Sequence, residues 1–268
     1  MRRLLTFACE GAALGASLDE GKGATGILLV TGGTQTRIGS HRMFERLAAG
    51  LAAAGFPCLR FDRRGVGDSE SEDPGWRGSA ADIAAAAAAF RREQRGMERL
   101  IGFGLCDGAS ALALFGAEAG LQGAILTNPW FVESEADAPP PAAIRSHYRR
   151  QLLSAAGWKK LLSGSVSYKK LFNGLQKMTR RQPSSLAEDI AEALDQDGLP
   201  VALVLAGGDA TAIAAASVWG SKRFARIRNA SAAPYRIESD SHTFARPGDA
   251  AALLQACLTA LTALSRRG

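Results

Sequence analysis

Short apolar runs alternate with helical segments along this chain, and that alternation constrains the fold more than any other feature. Thr25–Thr31, Phe56–Asp62, Leu100–Gly104, Gly123–Trp130, Pro200–Gly207 and Pro234–Glu238 have the length and apolar content of buried strands. Amphipathic helices are expected between them, over His41–Ala54, Ser79–Arg92 with Ser79 as N-cap, Ala109 to about Ala119, Thr211–Phe224 and Pro247–Ser265. Strands buried on both faces and joined by helices predict an α/β fold, a doubly wound and mostly parallel sheet. Residues 2–9 and 13–20 read as an antiparallel pair of strands turning at Gly11.

The rhythm breaks after Trp130. Ala138–Ala142 carries three consecutive prolines, and the segment behind it reads as helical pieces, with Ser184–Asp195 as a further helix. Residues 1–132 and 199–268 are therefore assigned to the core, and 133–198 to an inserted helical cap. Between Ile144 and Arg181 lie ten Lys or Arg and no Asp or Glu; the rest of the chain holds 22 basic against 26 acidic residues. All the excess of a formal charge of +6 sits in that 144–181 stretch of the cap. Its apolar positions recur near helical spacing, so lysines would face outward. His147, alone in this segment, reads as a surface residue.

Four scattered cysteines without a CxxC pair, and three histidines, suggest neither a disulfide framework nor a metal centre, so no metal or cofactor is expected. Met1-Arg2-Arg3 followed by Leu4–Phe7 is too short for a signal peptide, and a cytoplasmic location is the expectation.

In an open α/β sheet, ligands bind beyond the carboxyl ends of the strands. At one such end stands Gly104-Leu105-Cys106-Asp107-Gly108, a G-x-C-x-G between strand and helix. Flanking glycines permit a sharp turn that exposes the central residue at a helix N-terminus, where a thiolate is favoured. Cys106 is the candidate nucleophile. A base and an orienting acid should lie at other strand ends. His242 follows the last strand; Asp209 follows the penultimate one, with Asp240 a competitor two residues from His242. The backbone N–H groups of Asp107 and Thr34 are the expected oxyanion donors. Gly33, Gln35, Arg37, His41 and Trp130 are candidates for the substrate-binding surface, with Arg42 also flanking the mouth. Asp62–Ser69 is glycine-punctuated but lacks the Walker Gly-Lys-Ser/Thr, and is expected to pack beneath the turn at Cys106.

These motifs together resemble the α/β-hydrolase superfamily. Gly32-Gly33 through Arg37, Gly39, His41 and Arg42, Arg60–Ser69, the Cys106-Asp107 turn, His242-Thr243-Phe244 and Arg246–Asp249 resemble the family of exosortase A system-associated hydrolase 1. The resemblance implies a cytoplasmic bacterial enzyme encoded beside exopolysaccharide and protein-sorting genes, where acyl-activating and carrier proteins also occur. Cysteine in place of the superfamily's usual serine is a departure that points away from ordinary lipase action, towards acyl exchange through a thioester. The expected substrates are small acyl compounds carried on coenzyme A or on an acyl carrier protein, whose anionic groups would suit the basic cap. A hydrolase of small activated esters or lactones, and a non-catalytic scaffold binding an acyl ligand or partner, are the alternatives. Nucleic acid is not expected as a partner, since no recognition motif accompanies the charge. Peripheral membrane contact through the cap is a further expectation.

Overall fold

The computed structural model describes residues 1–132 and 185–265. The proline connector, the basic segment and His147 lie outside the described residues. Those residues form one eight-stranded sheet, in the order β1-β2-β4-β3-β5-β6-β7-β8. The strands are β1 Arg2–Cys9, β2 Ala12–Asp19, β3 Thr25–Val30, β4 Cys58–Phe61, β5 Arg99–Leu105, β6 Ala124–Thr127, β7 Val201–Ala206 and β8 Tyr235–Ile237. β1 and β2 pair antiparallel, as do β2 and β4; every pairing from β4 through β3 to β8 is parallel.

The helices are α1 Met43–Ala53, α2 Ala80–Glu93, α3 Asp107–Phe115, α4 Ser185–Asp197, α5 Ala210–Trp219, α6 Ala225–Ala230 and α7 Asp249–Ser265. Residue parity along the strands divides the core in two. Leu28, Val30, Leu59 and Phe61 pack with α2 and α3, while Ile27, Leu29, Cys58 and Phe103 pack with α1 and α7. Each fully buried leucine, isoleucine or phenylalanine contributes about 1.5–3 kcal/mol. On β5 the residues facing α3 include Gly102 and Gly104. A Cβ on Gly104 would lie 2.6 Å from the Gly108 carbonyl oxygen, so the bare glycine backbone is what lets α3 lie so close. Gly108 meets the sheet from the other side: its Cβ would stand 2.6 Å from the carbonyl oxygens of Val30 and Thr31.

Several helix limits differ from the sequence expectation. His41 and Arg42 have φ of 42° and 65°, so α1 begins at Met43 rather than His41. Ser79 stands at the N-cap of α2, but its hydroxyl turns back to the Trp76 carbonyl at 2.6 Å and caps no amide of the helix. α3 ends at Phe115, not near Ala119, and the helix expected to reach Phe224 stops at Trp219, with the short α6 following. α4, which falls within the segment assigned to the cap, buries Leu186, Ile190, Ala191 and Leu194 in the α3 side of the main core. Among the described residues, no helix is long and apolar enough to cross a membrane.

Candidate active site

The rim formed by the carboxyl ends of β3, β5, β6, β7 and β8 gathers most of the candidate residues. Cys106, between β5 and α3, has φ 57° and ψ −125°. Few side chains adopt a positive φ, and holding one there costs on the order of 1–3 kcal/mol. The backbone around it is tied down on both sides. Its N–H donates to the Thr127 carbonyl at 3.0 Å, and its carbonyl accepts from the amides of Ala109 at 3.1 Å, Ser110 at 3.2 Å and Trp130 at 3.1 Å. The buried Ser110 hydroxyl then donates to the Trp130 carbonyl at 2.5 Å. Cys106 is thus the one partly exposed cysteine among the four; Cys9, Cys58 and Cys257 are buried.

His242 lies in the loop after β8. Its Nδ1 donates to Asp209 Oδ2 at 3.0 Å, and the same ring lies near enough to the side chain of Cys106 to be influenced by it. Burial works against its charge, but the bonded Asp209 carboxylate and the neighbouring Cys106 side chain outweigh it, and the imidazole pKa is raised from 6.5 to about 10. Asp209 sits at the N-cap of α5, where Oδ2 also accepts from the Ala212 amide at 2.9 Å. A second fixed donor orients this carboxylate before the histidine is considered. Asp240, the competing acid, is paired instead with Arg246 at 2.9 and 3.0 Å.

The loop that carries His242 is held by residues from across the rim. Asn128 is fully buried with φ 41°; its Nδ2 donates to the His242 carbonyl at 2.8 Å and its Oδ1 accepts from the Ala206 amide at 2.8 Å. One amide side chain therefore ties the end of β6 to the end of β7 and to the histidine loop. Sequence reasoning missed it; the signal available was an Asn-Pro pair closing a buried strand. His41 makes a second tie, its Nε2 meeting the Thr243 carbonyl at 2.8 Å. Asp249 makes a third, accepting at 2.6 Å from the Ser239 hydroxyl and at 3.1 Å from the Arg246 amide.

The loop after β3 lies directly over the turn at Cys106. A Cβ on Gly32 would stand 2.6 Å from both Asp107 Oδ1 and the Leu105 carbonyl oxygen, and 3.1 Å from Cys106 Cβ. Gly33 donates its N–H to Asp107 Oδ1 at 2.6 Å, so the acid after Cys106 reaches back and fastens the loop. Thr34 is exposed at the loop's tip. Asp107 opens α3, where the first N–H groups have no partner within the helix and can meet an anion.

Other candidates are placed differently from the expectation. Arg37 does not face the mouth: its guanidinium is held by the fully buried Asp62, by Asp68 at 2.7 Å and by Ser17 at 3.1 Å. Gln35 is turned to its own loop, its Oε1 accepting from the Ser40 amide at 3.1 Å. Arg42 is paired with Glu45 at 2.6 and 2.8 Å. His41 and Trp130 act through the ties already described, Trp130 by its main chain and by packing half-buried on the core. The glycine-punctuated Asp62–Ser69 stretch braces the Gly33–Arg37 loop rather than the turn at Cys106: Asp62 takes the Arg37 amide and Arg63 meets the Gly33 carbonyl. Chemically, the rim presents an imidazole bonded to a buried carboxylate, with a sulfur close by, beside backbone amides at a helix start. Among the described residues, no group of three or more His, Cys, Asp or Glu is placed to hold a metal ion.

This architecture has known counterparts. The chain resembles the esterase Pf2001 of Pyrococcus furiosus, with a TM-score of 0.64, 10% identity, and 97% of this chain and 91% of that one covered. Est1E of Butyrivibrio proteoclasticus, solved with ferulic acid bound, aligns with a TM-score of 0.62 at 16% identity over 96% and 99% of the two chains. The thioesterase domain of the curacin biosynthetic pathway aligns at 0.57 and 14%, over 96% and 99%. At such identities the likeness establishes the fold. No curated protein matches the chain. A family model described as the alpha/beta hydrolase family matches residues 27–256, which is most of the chain and every residue of the rim. The chain belongs to the alpha/beta hydrolase family.

Proposed function

We propose that this hydrolase works by acyl transfer to Cys106, on thioester substrates in preference to oxygen esters. The observation that carries the reading is the placement of the partly exposed Cys106 beside His242, whose Nδ1 is bonded to Asp209 at 3.0 Å. In the proposed cycle the sulfur attacks the acyl carbon, and the N–H groups of Asp107 and Thr34 receive the charge developing on oxygen. As the bond to the leaving thiol or alcohol breaks, the His242 imidazolium supplies its proton. Water or another acceptor then attacks the acyl-cysteine, His242 takes the acceptor's proton, and the sulfur is released. Asp209 holds the ring orientation and balances its charge throughout.

Cysteine suits thioesters because exchanging one thioester for another is nearly isoenergetic, and the acyl-enzyme stays reactive. The thioesterase domain among the structural counterparts is in keeping with this, while the esterases favour the second reading, hydrolysis of small activated esters. The motifs around Arg60–Ser69 and His242–Asp249 support a narrower proposal, membership in the exosortase A system-associated hydrolases. Coenzyme A or an acyl carrier protein as the acyl donor is proposed from the charge of residues 144–181 alone.

The test is intact-mass spectrometry after brief incubation with butyryl-coenzyme A and with p-nitrophenyl butyrate. An adduct of the acyl mass on the protein, lost in Cys106→Ala and accumulating in His242→Ala only slowly, is the expected result. A protein that turns over neither donor and takes up no label is a binding scaffold rather than an enzyme. Turnover that survives Cys106→Ala removes the cysteine mechanism.

A further inference from the structure

Arg63 is buried, 3% exposed, two residues after β4, and one NH2 donates to the carbonyl of Gly33. Its remaining ion pair, to Asp73, is loose at 3.7 Å. Its Nε and other NH2 nitrogen are buried without an acceptor. Neighbouring Arg60 shows what a buried arginine kept for structure looks like here: both sides of its guanidinium are taken, by Asp19 at 3.0 and 3.3 Å and by the Arg37 carbonyl at 3.0 Å. Burying a guanidinium with N–H groups unmet is costly, so Arg63 is poorly explained as a stabilising residue.

Its one strong contact falls on the peptide unit that joins Gly33 to Thr34. A trans peptide is planar, so its N–H points opposite to its carbonyl. With the carbonyl drawn inward to Arg63, the Thr34 N–H is turned outward, at the exposed tip of the loop that covers Cys106. Gly33 has φ 57°, and a Cβ there would meet nothing within 4 Å, so the glycine serves the backbone angle and not a lack of room. On its other side the same residue is fastened by Asp107. A cation on the carbonyl also draws electron density from the amide and makes its N–H a stronger donor to an anion.

We infer that Arg63 is a positioning residue that aims and polarises the Gly33–Thr34 peptide, so that its N–H stabilises the oxyanion formed during acyl transfer. The inference rests on the acyl-cysteine reading above and adds to it a residue that touches neither substrate nor sulfur.

The experiment compares wild type, Arg63→Met, Arg63→Lys and Cys106→Ala with p-nitrophenyl butyrate as substrate, butyraldehyde as inhibitor and iodoacetamide as alkylating agent. Butyraldehyde adds to the sulfur and places an anionic oxygen at the donors; iodoacetamide reacts with the sulfur without one. Loss of a direct oxyanion donor lowers kcat by about 100- to 1000-fold, so loss of its positioning should lower kcat by about 10- to 100-fold. The expected result for Arg63→Met is that fall at nearly constant KM, with butyraldehyde inhibition weakened by a similar factor and the alkylation rate of Cys106 unchanged. Arg63→Lys, which keeps a charged donor, should recover part of kcat. A kcat near wild type in Arg63→Met, or alkylation that falls as far as kcat, overturns the inference. If Arg63→Met does not fold, Arg63→Lys decides: reduced kcat at wild-type Tm supports the inference, and unchanged kcat overturns it. Equal turnover by wild type and Cys106→Ala sinks the acyl-cysteine reading and this inference together; an inactive Cys106→Ala beside a fully active Arg63→Met sinks only the inference.

Discussion

Asn128 offers the most demanding test of how the rim is held. Replacing it by alanine removes two hydrogen bonds, to the Ala206 amide and the His242 carbonyl, both at 2.8 Å. Each is worth about 1 kcal/mol, and the Ala206 N–H, left buried without its acceptor, adds about 1–3 kcal/mol. The backbone adds a further term: φ is 41°, a region that asparagine tolerates and alanine does not, at about 1–2 kcal/mol. Asn128→Ala should therefore lower stability by about 4–7 kcal/mol, and Asn128→Gly by about 1–2 kcal/mol less, because glycine accepts the angle. Asn128→Asp keeps an acceptor for Ala206 but sets an oxygen against the His242 carbonyl, so it should hold most of the stability while losing activity. Urea unfolding gives the stabilities, and p-nitrophenyl butyrate turnover at pH 7.5 gives kcat/KM. If alanine and glycine prove equally stable and both lie within 1 kcal/mol of wild type, the clamp carries no weight and the reasoning fails.

Other outcomes follow from the same geometry. Iodoacetamide at pH 8 should modify one thiol in the native protein, Cys106, and four after unfolding, since Cys9 is raised to about 11 by burial beside Asp82 and burial also raises Cys58 and Cys257; peptide mapping identifies the site, and early labelling of any other cysteine contradicts the structure. His242 contributes to stability through its raised pKa: the contribution is full below pH 6.5, where both folded and unfolded forms hold the proton, and disappears as pH rises through about 10. Urea unfolding should show wild type losing on the order of 3 kcal/mol between those limits relative to Asp209→Asn, and parallel curves for the two would refute the coupling. Gly104→Ala drives a Cβ to 2.6 Å from the Gly108 carbonyl oxygen and 2.7 Å from the backbone of Ala109. Neither is a flexible side chain, so the variant should lose more than about 3 kcal/mol by calorimetry, and a wild-type Tm would show that α3 can move freely.

The sheet was legible because its strands are nearly continuous apolar runs bounded by glycine, proline or acid. The pairing of Asp209 with His242 at the rim was legible because each falls just past a strand, as Cys106 does. What periodicity could not show is where a helix makes its last hydrogen bond: Thr211–Phe224 reads as one apolar helix, yet the chain leaves it after Trp219 and turns into α6. Nor could spacing show how polar side chains choose partners far along the chain. Arg37 looked like a residue of the mouth because of its neighbours in sequence, but Asp62 and Asp68 claim it from another loop. Asn128 binds residues 78 and 114 positions away, and nothing local marks either contact.

The left-handed backbone at residue 106 carries one more implication. Glycine would occupy φ 57° without the penalty a Cβ brings, so Cys106→Gly should unfold at a higher temperature than the natural chain while losing its chemistry. Selection for robustness alone would erase the sulfur. On the acyl-cysteine proposal, the discomfort of that turn is what it costs the chain to hold a sulfur out at the rim.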